Sequence, residues 1–154
     1  MKEDLLDAWR IHCRITGYLL EAIPEPQLAC LSTSKGRAVG EQFVHMHNVR
    51  LMWLKEADKE VHSSLQKLEK KDAVDKELLL RSLDASCEAI ARTISSLEEK
   101  GKRMPGFKPS NASFLSYLIS HESHHRGQVM LILKQAGHPV DKSVAFGIWE
   151  WGKR

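Results

Sequence analysis

Five of the eight histidines fall in two tight groups, His45 with His47 and His121 with His124 and His125. Imidazole is a common ligand for divalent transition metals, and two imidazoles at i and i+4 on a helix form a standard bidentate pair. His121 and His125 have that spacing. With Phe114 set at about 0° and about 100° per residue, Leu118 falls near 40°, Val129 near 60° and Ile132 near 0°. On the same scale His121 lies near 340° and His125 near 20°, inside the apolar stripe, while His124, near 280°, lies on its flank. A ring nitrogen buried on such a stripe without a partner costs ~1–3 kcal/mol, and one shared ion would satisfy both rings.

Two ligands are an incomplete set, and His45-Met46-His47 supplies a third. The two side chains point about 200° apart on a helix, so only one can face the same ion. His47 shares its arc with Val44, Leu51 and Leu54, whereas His45 shares its own with Glu41, Asn48 and Met52. Polar neighbours suit a ligand whose second nitrogen needs orienting, but periodicity leaves both histidines open. Three protein ligands plus solvent is the pattern of a catalytic metal site. An ion so held can lower the pKa of bound water or of a bound thiol, or polarise a carbonyl.

His121-Glu122-Ser123-His124-His125 also matches H-E-x-x-H, in which Glu122 would be the general base of a zinc hydrolase. That pattern is short. Arg126-Gly127-Gln128 follows it, with glycine one place too early for the metzincin extension, and the only later glutamate is Glu150. No strand is expected that could bind an extended peptide. Glu122 and His125 read equally as one E-x-x-H, the half-signature of di-iron bundles, but no second copy exists. Glu122 is the one side chain these motifs offer for catalysis.

The elements that must position these residues are helices. In residues 4–23, Leu6, Trp9, Cys13, Leu20 and Ile23 recur at helical spacing, and Pro24 and Pro26 end the pattern. A second helix is expected from about Ala38 to Ala57, with apolar residues on most sides. A short one is expected around Val61 to Leu68 and a third long one from about Val74 to Lys100, where Leu83, Cys87, Ile90, Ile94 and Leu97 form the clearest stripe. A fourth should run from Ser110 or Asn111 to about Ala136, before Gly137 and Pro139. A last short helix over residues 143–151 carries Phe146, Ile148, Trp149 and Trp151, with the two tryptophans read as a lid completing the core. The expected fold is all-α, an antiparallel up-down four-helix bundle with a short C-terminal fifth helix, forming one domain over residues 1–154.

Composition narrows the function. A chain of 154 residues is the size of one domain. The net charge is +3, with alternating signs over residues 55–60, so no nucleic-acid surface is expected. Cys13, Cys30 and Cys87 are dispersed and odd in number, which fits reduced thiols better than a disulfide framework. No apolar run approaches the ~20 residues of a membrane span, and the start lacks a signal-peptide pattern, so a cytoplasmic location is expected.

The stretch from Val39 to Leu54, with His45 eight residues before Trp53, together with His121-Glu-Ser-His-His125-Arg-Gly-Gln128 and the terminal Gly147-Ile-Trp-Glu-Trp-Gly, resembles the DinB-like superfamily of metal-binding four-helix bundles. The resemblance implies His45, His121 and His125 as metal ligands, and so chooses His45 over His47. It implies nickel or zinc, with iron or manganese as further options, and a homodimer paired through helix faces. Some members are transferases that use a low-molecular-weight thiol such as bacillithiol, mycothiol or glutathione on a small-molecule substrate. The family usually has a small residue after the first histidine of the fourth helix, so Glu122 is a departure. The alternatives are a non-enzymatic metal-binding bundle and, further off, a zinc hydrolase of the H-E-x-x-H type.

Overall fold

The computed structural model describes residues 2–154, and among them no strand forms. The helices are α1 (Lys2–Ala22), α2 (Val39–Ala57), α3 (Lys59–Ser63), α4 (Lys76–Glu99), α5 (Asn111–Gln135) and α6 (Lys142–Gly147). Single 3₁₀ turns lie at Glu25–Ala29, Lys70–Val74 and Trp151–Lys153. Local chemistry sets the boundaries. Asp58, Asp75 and Ser110 each accept a hydrogen bond from a backbone N–H in the first turn of the helix that follows. Gly101 (φ 62°) and Gly137 (φ 83°) supply the left-handed residue beyond α4 and α5.

The four long helices form a ring in which α1 and α2 each pack against both α4 and α5, an arrangement that fits a four-helix bundle. Side-chain pairs give the directions. Trp9 Nε1 donates to the Cys87 carbonyl at 3.0 Å, and Lys76 Nζ donates to the Ile23 carbonyl at 2.6 Å. α1 and α4 are therefore antiparallel. Arg50 meets Glu122 while Gln42 meets His125, so α2 and α5 are antiparallel as well. His12 meets Glu122 and Thr16 meets Arg126, which makes α1 and α5 parallel.

The remaining pair departs from strict up-down alternation. Gly40, at the start of α2, abuts Ala73 just ahead of α4, and Arg50 donates to the Leu83 carbonyl further along both helices. α2 and α4 are therefore parallel, and the order is up, down, down, up. Residues 58–75 return along α2 instead of turning tightly. His47 Nε2 donates to the Gln66 carbonyl at 2.8 Å, and the Asn48 amide both donates to and accepts from the Leu68 backbone.

Smaller departures have local causes. The short helix ends at Ser63 rather than near Leu68, and α4 starts at Lys76, one residue after its Asp75 cap. The terminal helix stops at Gly147 instead of reaching Trp151, and Trp149 is 75% exposed, so it closes nothing over the core. Cys13, Cys30 and Cys87 are free thiols.

The interior is layered. One apolar cluster joins Leu19, Leu20, Phe43, Met46, Leu79, Val129 and Leu133; the other joins Trp9, Leu54, Ile90, Phe114 and Leu118. Between them along every long helix lie buried polar groups: His12 and Thr16 from α1, Arg50 from α2, Ser86 from α4, Glu122 and Arg126 from α5.

Candidate metal centre

The histidine cluster sits where α2 passes α5. One nitrogen from each of His45, His121 and His125 lies within 4.8 Å of the others, the only such group of three among the described residues. His121 and His125 rise one turn apart on α5 with Nε2 atoms 3.1 Å from each other and ring centroids 4.5 Å apart. His45 enters from α2, its ring 5.2 Å from that of His121 and 4.6 Å from that of His125.

Nδ1 of His125 donates to Oε1 of Gln42, one turn before His45 on α2, at 2.7 Å. An amide oxygen only accepts, so Nδ1 carries the proton and Nε2 presents its lone pair to the cluster. This is the outer hydrogen bond that typically orients a metal-bound imidazole. The His121 ring has the Tyr117 ring beside it, 6.1 Å away and inclined by 20°. Tyr117 belongs in turn to an aromatic group with Trp53, Phe107 and Phe114.

The electrostatics keep the three rings neutral. Burial, then Arg37 and His121, push His45 down to about 4, and burial, then His121 and His45, push His125 down to about 4. Burial, with His124 and Arg37, also lowers His121. Neutral imidazole is the form that binds a metal. Two rings on an ion at about 2.0–2.1 Å in tetrahedral geometry place their nitrogens roughly 3.3 Å apart, close to the 3.1 Å here. The donor set fits one divalent ion.

The other histidines are placed elsewhere. His47 is buried against the returning segment through Gln66, so the cluster takes His45 from that pair. His124 and His138 are exposed. His12 is fully buried and its Nε2 donates to Glu122 at 2.7 Å, a role without any signal in the local sequence.

Glu122 faces the buried polar layer, about a quarter turn around α5 from His121 and His125. Its oxygens accept from Arg50 Nε at 2.7 Å and Nη2 at 2.8 Å, and all three partners, His12, Arg50 and Glu122, are fully buried. Burial pushes the Glu122 carboxyl up, but Arg50 and His12 together outweigh it and hold the group far below the ordinary carboxylate range. Burial likewise opposes the charge on Arg50, and Glu122 more than restores it. Arg126 extends the network to Thr16 at 2.9 Å and to Nδ1 of His12 at 3.1 Å. The carboxylate that the H-E-x-x-H pattern offers as a base is thus committed to a buried ion pair.

Four long helices packed in a ring and three imidazoles gathered from α2 and α5 define a helical protein with a candidate metal centre. The chain belongs to the DinB family, whose sequence profile matches residues 1–145. It is 40% identical over 53 residues to the uncharacterized protein YrdA from Bacillus subtilis (strain 168), a stretch covering 34% of this chain and 29% of that relative. No solved structure matches it. No described helix is long and apolar enough to cross a membrane.

Proposed function

We propose that His45, His121 and His125 hold one divalent ion, nickel or zinc ahead of iron or manganese, and that the site catalyses transfer of a low-molecular-weight thiol to a small electrophile. The observation that carries the first half is the convergence of three neutral imidazole nitrogens within 4.8 Å. The second half draws on the DinB family, some of whose members are thiol transferases. Bound there, the ion would act as a Lewis acid that brings a thiol toward its anionic form near neutral pH.

The chain's own residues have separable tasks in this reading. Gln42 fixes the tautomer of His125. The Arg50–Glu122 pair locks α2 to α5 at the residue next to His121 and five residues beyond His45, so the spacing of His45 from His121 is held by a buried bidentate contact. Tyr117 lies beside the His121 ring and links it to Trp53. Glu122, spent on Arg50, speaks against the hydrolase reading. A homodimer in the cytoplasm completes the proposal.

The deciding assay offers bacillithiol, mycothiol and glutathione with a model electrophile to metal-loaded and metal-stripped protein. Conjugation should require the metal and vanish in His121→Ala. If none of the three thiols is conjugated under either condition, the non-enzymatic metal-binding bundle replaces the transferase.

A further inference from the structure

A shallow cavity of about 250 Å³ opens beside His45, lined by Arg37, Glu41, Lys67, Glu69 and Lys70. Its charges do not cancel. Glu41 accepts the Ala38 N–H at 2.9 Å and pairs with Lys70 at 3.5 Å. Among the described residues no ion pair engages Arg37 or Lys67. Arg37 is exposed, just ahead of α2, and lines this cavity together with His45. An unpaired cation in a cavity lined by His45 is repelled by any divalent ion that His45 holds, and an anion between them offsets that repulsion.

We propose that this cavity binds the carboxylate of a small anionic substrate, with Arg37 as its principal cation and Lys67 as the second, next to the metal at His45. The planar fork of arginine matches a carboxylate in bidentate fashion. The volume lies below the ~300 Å³ lower bound of sites for drug-sized ligands, which selects a short-chain acid. The inference rests on the metal reading for the reaction it serves, and on the cavity alone for binding.

The test is calorimetric titration of succinate, with succinamide as its uncharged counterpart, into wild type, Arg37→Gln, Lys67→Gln and, as a control on the far side of the molecule, Arg14→Gln. Metal content and thermal midpoint are measured on each sample. Succinate should bind wild type and bind Arg37→Gln about tenfold more weakly at equal metal content and thermal midpoint. Lys67→Gln should show a smaller loss, Arg14→Gln none, and succinamide no binding. Equal affinity in wild type and Arg37→Gln, equal binding of succinate and succinamide, or no succinate binding to wild type overturns the proposal. If the wild type holds no metal, that reading fails separately, and the dependence on Arg37 is still decided on the metal-free protein.

Discussion

Gln42 accepts the Nδ1 proton of His125 across the α2–α5 interface at 2.7 Å, and this contact determines which nitrogen of the ring faces His45 and His121. Gln42→Leu removes the acceptor while keeping the buried volume. Metal affinity should fall about 10- to 100-fold by competition with a chromophoric chelator, and helicity by circular dichroism should be unchanged. Gln42→Glu, which can still accept from Nδ1, should recover most of the loss. Equal affinity in Gln42→Leu and wild type would mean that the ring is oriented by something else.

The Arg50–Glu122 pair supports the site through the fold. Glu122→Gln leaves a guanidinium buried without its counter-charge, at a cost of about 3–5 kcal/mol in urea unfolding. Folded Glu122→Gln should still bind metal. A loss under 1 kcal/mol would show that the pair is not the tie between α2 and α5 described above.

The parallel course of α2 and α4 depends on close approach at Gly40. A Cβ there would lie 1.8 Å from the Ala73 carbonyl oxygen, and that neighbour is backbone. Gly40→Ala should therefore destabilise by more than about 2 kcal/mol, measured by urea unfolding. A neutral or stabilising result would place residues 70–74 away from α2.

His45 and His47 separate by consequence. His47→Ala leaves the Gln66 carbonyl without its donor and should cost about 1–3 kcal/mol of stability while metal binding persists. His45→Ala should do the reverse. Exchange of these two outcomes would move the third ligand to His47.

The reach of the sequence can be seen in these same residues. His121 and His125 were legible because Phe114, Leu118, Val129 and Ile132 mark the phase of α5 strongly. His45 and His47 were not separable by phase, because α2 is enclosed on most sides. What distinguishes them is a carbonyl 19 residues further on that covers one and not the other. The polar layer gave no local signal at all, since Glu122 is 72 residues from Arg50 and 110 from His12. The start of α5 followed from Ser110 as a cap, but helix direction depends on the returning segment at residues 58–75, whose own periodicity is weak.

The most direct measurement is the metal content of purified, folded protein by plasma mass spectrometry, comparing wild type with His45→Ala, His121→Ala and His125→Ala. Wild type should carry about one divalent ion per chain, and each variant should retain little of it at unchanged helicity. Stoichiometric metal in His121→Ala and His125→Ala, or a metal-free wild type after purification and reconstitution, would contradict the assignment of these three histidines as a metal centre.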